Sequence, residues 1–274
     1  MKIWQVDFYH IPSPQSNDPK KWKLVICDRD TNFVYNAECD SSQANAEWLE
    51  ERLIDAAQDN LPDKLQLFRP QALGLLSLAA KKLDIVVEAT RHTKKLKNEL
   101  KRQYKLINPN YNPLAIDKPP PQPLPENIWG EQWQIASISA GDIINLFSDR
   151  PIPVKDISED FLPINLGLGS NIPIPGIVVY GGKKSMILAR WLAEKQPVFL
   201  NYIPTEVGRS GGFILETGLA DRWVFNTFES QQAASVAQDY EQKKQASQGL
   251  HFLLIQPDDS GMTYTGFWLL KQED

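Results

Sequence analysis

Apolar and polar positions in the first 107 residues repeat with two periods. Alternating runs at 3 to 11, 22 to 30 and 33 to 39 predict three strands, and an amphipathic stretch at about 43 to 58 predicts a helix. A strand at 64 to 69, a helix at 71 to 82, a strand at 84 to 90 and a helix at 93 to 106 follow. After residue 127 the pattern resumes with a strand at 132 to 138, a short helix at 141 to 147 and an irregular Pro- and Gly-rich stretch from 150 to 176. Then come a strand at 177 to 180, a helix at 184 to 195, a strand at 197 to 203 and a hairpin of 212 to 217 with 222 to 228, turning on Gly218-Leu219-Ala220-Asp221. A helix at 230 to 247 and strands at 250 to 256 and 263 to 271 complete the chain.

These elements predict two α/β domains with mixed sheets. The first, residues 1–107, has the order βββαβαβα: an antiparallel meander followed by two right-handed crossovers, which is the ribonuclease H-like arrangement. Residues 108–127 contain seven prolines and little that could form a core, so they read as a polyproline-like linker. The second domain, 128–274, repeats the order βββαβ over 197 to 256; that hints at a core related to the first, but the order is common enough that an unrelated α/β core is the favoured alternative.

Composition narrows the classes. No run of about eighteen apolar residues occurs, so a bilayer-spanning helix is not expected. The opening MKIWQVDFYHIPSP alternates and carries Asp7, unlike a secretory leader, and no Arg- and Ser-rich transit segment precedes it; the expected location is cytoplasmic. Two cysteines fit a reducing compartment. If Thr31-Asn32 forms the turn between the second and third strands, with Asp30 opposite Phe33, Cys27 lies opposite Asn36 and Cys39 opposite Leu24. The two thiols then face opposite sides of the sheet and form no disulfide. Three scattered histidines, His10, His92 and His251, supply no metal spacing, so neither metal nor cofactor is expected.

The net charge of −5 is unevenly spread. Up to residue 116 there are 17 Lys and Arg against 15 Asp and Glu, and beyond it 12 against 19. A phosphate-facing surface belongs first in the N-terminal half. Its focus is RHTKKLKNELKRQYK, residues 91 to 105, with seven basic residues and one acid. As a helix with Thr93 at its N-cap, Leu96, Leu100, Tyr104 and Ile107 dock one face. Lys94, Lys97, Lys101 and Lys105 form an outer stripe, flanked by Arg91, Lys95 and Arg102. Such a stripe predicts salt-sensitive, largely sequence-independent affinity for nucleic acid. Tyr104, Tyr111, Trp22, Trp129 and Trp133 are the aromatics placed to stack bases, whereas Trp4, Trp48, Trp191 and Trp223 belong to apolar patterns of the core.

Catalytic patterns are weaker. Two-metal nuclease chemistry in a ribonuclease H-like sheet needs converging acids on the first strand, the following helix and the fourth strand. Asp7 suits the first, and Glu47, Glu50 or Glu51 the second. The fourth strand, KLQLFRP, places Phe68 and Arg69 where an acid is required, and Glu88 on the next strand is a poor substitute. Gly181-Gly182-Lys183-Lys184-Ser185 approaches a phosphate-binding loop but has Lys184 where Ser or Thr must follow the lysine. It leaves at most an anion site at a helix N-terminus, with Lys183 and Lys184 beside it. Arg209, in the VGRSGG loop, and Arg222 are further phosphate contacts to consider. No nuclease activity is expected.

The closing run GLHFLLIQPDDSGMTYTGFWLLKQED from Gly249, ETGLADRWVFNTFE at 216 to 229 and the opening KIWQVDFY at 2 to 9 together resemble the Tab-two/Atab-two family of RNA-binding proteins from oxygenic phototrophs. The likeness spans the chain, and Trp268, Leu269 and Leu270 match the family's Trp-Leu-Leu ending. It implies a non-catalytic protein that binds single-stranded, A/U-rich RNA such as messenger 5′ regions. The implied task is translation or biogenesis of photosystem reaction-centre proteins in a cyanobacterial cytoplasm, with ribosomal or photosystem assembly proteins as further partners. The apolar ending itself reads as a strand closing the C-terminal sheet. Two other classes remain open: a protein-interaction module built on the acidic C-terminal domain, and a degenerate nuclease fold that keeps only substrate binding near Asp7.

Overall fold

A computed structural model of the chain describes residues 1–12, 21–107, 111–147 and 150–273, with the side chains of 106 and 107 excepted. The chain divides into two compact units, Met1–Asp117 and Lys118–Asp274. Among the described residues it is a mixed α/β protein with six α-helices and three mixed sheets.

In the first unit β1 (Ile3–His10), β2 (Lys21–Asp28) and β3 (Val34–Asp40) form an antiparallel meander. There follow α1 (Ala46–Ala57), β4 (Lys64–Leu67), α2 (Pro70–Lys82), β5 (Val86–Ala89) and α3 (Lys94–Ile107). The sheet order is β3-β2-β1-β4-β5, with β4 parallel to both β1 and β5. Central β1 is buried along nearly its whole length, because alternation sends its side chains to two cores. Phe8 stacks on Trp22 and on Trp48 of α1. Tyr9, on the other face, joins Val25, Cys27, Phe68, Leu96, Leu100 and Tyr104 beneath α3.

Two local expectations are corrected. The β2–β3 register pairs Cys27 with Val34 and Cys39 with Trp22, two residues away from the expected pairing. Asp28 Oδ1 accepts from the backbone N–H groups of Asp30 and Thr31, which closes a longer loop than a two-residue turn. A shift by an even number preserves the faces, so the buried thiols still lie on opposite sides of the sheet and both are free. The second correction concerns the start of α3. Leu96 N–H donates to Gln5 Oε1 of β1, whereas Thr93 Oγ1 has no hydrogen-bond partner among the described residues. A side chain from the sheet does the work expected of the helix's own N-cap.

The second unit contains β6 (Gln122–Pro123), β7 (Gln132–Ser139), α4 (Ile143–Phe147), β8 (Val154–Asp156), β9 (Pro173–Tyr180) and α5 (Ser185–Lys195). It continues with β10 (Pro197–Glu206), β11 (Ser210–Thr217), β12 (Asp221–Glu229), α6 (Gln231–Ala246), β13 (Leu250–Gln256) and β14 (Gly266–Lys271). One sheet runs β10-β11-β12-β6 and the other β7-β9-β13-β14-β8. The βββαβ order of the first unit thus recurs, but its pairing does not. There β4 joins β1, whereas here β13 pairs with β9 and β14 in a separate sheet. β9, supplied from the Pro-rich stretch upstream, takes the place beside β13 that a duplicated core would give to β10.

The backbone of edge strand β10 is satisfied by side chains instead. Leu200 N–H donates to His251 Nε2, Leu200 O accepts from Lys244 Nζ, and Tyr202 N–H donates to Glu241 Oε1. Lys244 also bonds Glu241 at 2.7 Å. This polar seam meets the hydrogen-bonding need of a covered edge without another strand. It fixes the His251 tautomer, with Nδ1–H donating to Gly249 O. Burial, reinforced by Lys244, drives the His251 pKa down to about 3.

The segment expected to be a spacer contributes to both cores. Tyr111, Leu114 and Ile116 pack in the first unit, and Leu124 is buried in the second. Its prolines lack N–H donors, yet Pro123 is tolerated because β6 lies at a sheet edge. Strand β14 is buried on both faces: Phe267 and Leu269 enter one core with Phe252, and Trp268 and Leu270 enter the other with Tyr240 and Leu253. The Trp-Leu-Leu ending therefore lies inside the sheet, between β13 and β8, and does not close it: β8 forms the edge.

Truncating Trp268→Ala should destabilise the second unit by about 3–5 kcal/mol in urea unfolding. His251 gives a pH signature. Its folded pKa lies below its ordinary value, so its contribution is whole above about pH 6.5 and is lost as pH falls toward 3, at up to about 1.4 kcal/mol per pH unit. His251→Gln should flatten that part of the acid limb relative to wild type.

Candidate nucleic-acid interface and a filled acidic position

Asp7 sits in the middle of β1 with its side chain wholly buried. Arg69, at the end of β4 just before α2, reaches it with Nε at 2.9 Å from Oδ1 and Nη2 at 3.0 Å from Oδ2. The same guanidinium donates to the carbonyls of Pro113 and Ala115 and lies over the rings of Tyr9 and Phe68. Burial raises the Asp7 pKa, and the Arg69 charge offsets part of that rise. A cation with its donors spread over one carboxylate and two carbonyls fills the space where a metal would need this acid. Glu88 is held by Lys64 and Gln66, and Glu50 by Lys82. Among the described residues no group of three or more His, Cys, Asp or Glu is placed to hold a metal ion.

The basic helix departs from the expected stripe. Lys94, Lys101 and Lys105 are exposed, but Lys97 is buried, donates to Arg91 O and lies over the Phe68 ring. At about 100° per residue Lys97 stands only about 20° around the helix from Tyr104, inside the docking face. Arg91 is buried as well. Lys95 is half-buried and donates to Asn32, and Arg102 is engaged by Glu99. Tyr104 is buried against Tyr9 and Tyr111, so it offers no open face for a base. Ile107 lies outside the described side chains.

In the second unit Lys183 and Lys184 are exposed beside the start of α5, but a carboxylate already lies there. A Cβ built on Gly182, whose φ is +51°, would fall 2.1 Å from Glu131 Oε1. The chain's own acid therefore competes with any phosphate at this helix N-terminus. Arg209 is exposed and pairs with Glu206, while Arg222 is bound to the buried Glu216, which Lys118 also neutralises. Trp22 is half-buried against Phe8 and His10.

Trp129 and Trp133 border an apolar cleft of about 370 Å³. Trp129 is 56% exposed, and its Nε1–H donates to Leu124 O. Trp133 packs on Phe213 and Phe228. One wall comes from Pro123 and Leu124, another from Val224 to Thr227. Four consecutive residues of one strand contribute because an extra residue at Phe225 breaks the alternation of β12 against β11. Gly130 lets the Trp129 loop lie close on β9, since a Cβ there would come 2.4 Å from Val179 Cγ1. The two indoles were legible as stacking candidates; Gln132, Asn226 and Thr227 at the same cleft carried no signal in the sequence.

The chain thus combines two α/β units, an acidic position filled by Arg69 and exposed lysines on α3 and beside α5. Residues 3–103 match the family described as RNA-binding protein Tab2/Atab2 N terminal, and residues 111–271 match the C-terminal domain of RNA-binding protein Tab2/Atab2. The chain belongs to the Tab2/Atab2 family. The chloroplastic Protein TAB2 homolog of Arabidopsis thaliana is 29% identical over 286 residues, which cover 98% of this chain and 74% of that protein. The Zea mays homolog is 25% identical over 290 residues, covering 98% and 71%. The catalytic core domain of HTLV-2 integrase in complex with magnesium superposes with a TM-score of 0.27 at 18% identity, over 40% of this chain and 76% of that one, too weakly to support an argument. Among the described residues no helix is long and apolar enough to cross a membrane.

Replacing Arg69 by Met should leave a buried, unpaired carboxylate and cost about 3–5 kcal/mol in denaturant unfolding. Asp7→Asn combined with Arg69→Met should recover most of that loss, which identifies the stranded charge as its cause.

Proposed function

We propose that this chain is a non-catalytic RNA-binding protein that takes single-stranded, A/U-rich RNA and supports translation or biogenesis of photosystem reaction-centre proteins. Membership of a family described as RNA-binding supports the ligand class. The names of the plant relatives, both chloroplastic, support a photosynthetic setting. The sheet order β3-β2-β1-β4-β5 supports a ribonuclease H-like reading of the first unit. The observation that carries binding without hydrolysis is Arg69 seated on Asp7. A guanidinium there repels the divalent ions that phosphoryl chemistry would need and engages both oxygens of the acid.

On this reading Lys94, Lys101 and Lys105 of α3 supply the phosphate contacts of the first unit, with Lys95 at their edge. Lys183, Lys184 and Arg209 are secondary contacts on the second unit. The site of action is the cytoplasm of a cyanobacterium, where ribosomal or photosystem assembly proteins are further partners.

Fluorescence anisotropy of a labelled A/U-rich RNA tests the assignment. Wild-type affinity should fall steeply with salt, and the Lys94→Glu/Lys101→Glu/Lys105→Glu variant should bind at least about tenfold more weakly with a shallower salt slope. Unchanged binding by that variant would move the RNA off α3. No wild-type binding at low salt would overturn the RNA reading.

A further inference from the structure

We infer that the Trp129–Trp133 cleft of the second unit is a pocket for an unpaired nucleobase. The inference rests on the RNA-binding reading and adds a base site to its phosphate contacts. Trp129 is the one exposed tryptophan among the eight, and the bond from its Nε1–H to Leu124 O fixes the ring in place before any ligand arrives. Stacking on a pre-positioned indole loses little conformational freedom and suits any base, since every base has a π-face.

The rest of the lining matches the same ligand. Among the described residues no Asp, Glu, Lys or Arg contributes to the cleft, so its lining does not suit a phosphate or a metal ion. Gln132, Asn226 and Thr227 do contribute, and none of their side chains is engaged by another group among the described residues. A carboxamide offers a donor and an acceptor side by side, which is the pattern on the edge of a base. A volume of about 370 Å³ lies at the small end of ligand clefts, room for a base and not for a folded partner. The bulge at Phe225 re-aims β12 at this point, as bulges do beside binding sites.

The test compares two RNAs of equal length, one A/U-rich and one with abasic residues throughout, against full-length wild type, Trp129→Ala, Trp129→Phe and Asn226→Ala. Binding is read by anisotropy, and thermal unfolding confirms that each variant is folded. Wild type should prefer the base-bearing RNA. Trp129→Ala should lose about tenfold on that RNA with little change on the abasic one, and Trp129→Phe should recover most of the loss. Asn226→Ala should weaken base-bearing RNA selectively.

Equal losses on both RNAs, or no loss in Trp129→Ala, would overturn the base pocket while leaving RNA binding intact. Failure of wild type to bind either RNA would overturn both readings. A proline-rich decapeptide provides the competing occupant: if it quenches Trp129 fluorescence and the A/U-rich RNA does not, the cleft belongs to a peptide and the inference fails.

Discussion

The pairing of Arg69 with Asp7 is the constraint around which the first unit is organised. A carboxylate in the middle of a buried central strand is costly without a partner, and one guanidinium donates to both of its oxygens. The remaining donors of that guanidinium hold the carbonyls of Pro113 and Ala115. One side chain therefore joins β1, the β4–α2 turn and the chain leaving α3. It also occupies the acid of the first strand, so that Asp7 is not left open to a metal ion. The proposed binding without hydrolysis rests on the same contact that holds the unit together.

The second unit solves a comparable problem with different residues. The edge of β10 is closed by His251, Lys244 and Glu241, and not by a neighbouring strand. That arrangement frees β13 to sit between β9 and β14, with Trp268 and Leu270 on one face and Phe267 and Leu269 on the other. The apolar tail is a strand deep in the unit, and its conspicuous residues are structural. The exposed lysines at the start of α5 are neighboured by Glu131, and the indole cleft lies where the proline-rich segment borders β12.

Much of this architecture was legible in the hydrophobic pattern, because strand and helix periods are set locally. The order of elements in the first unit, the burial of β14 and the opposite faces of Cys27 and Cys39 all followed from alternation. Arg69 was legible as a misfit at a position needing an acid, though its bond to Asp7 joins residues 62 apart in sequence. Readings that depended on finer geometry went astray. Lys97 belonged to the basic run by composition but falls, by helical angle, on the docking face. The β2–β3 register slipped by two because the Asp28 side chain organises the loop. Thr93 was an apt cap, but Gln5 from across the unit took its place. The repeated βββαβ order does not make the two halves alike, because strand order along a chain does not fix which strands become neighbours. Asn226 and Gln132 left no sequence signal, since polar residues near a turn are ordinary until the fold brings them beside two tryptophans.

The most direct test of binding without hydrolysis is a time course of end-labelled A/U-rich single-stranded RNA with full-length protein and Mg²⁺, each sample divided between native and denaturing gels. The account predicts a shifted complex on the native gel and intact RNA on the denaturing gel at every time. Mg²⁺-dependent shortening of the RNA that disappears in Asp7→Asn would contradict it, and so would the absence of any shifted complex.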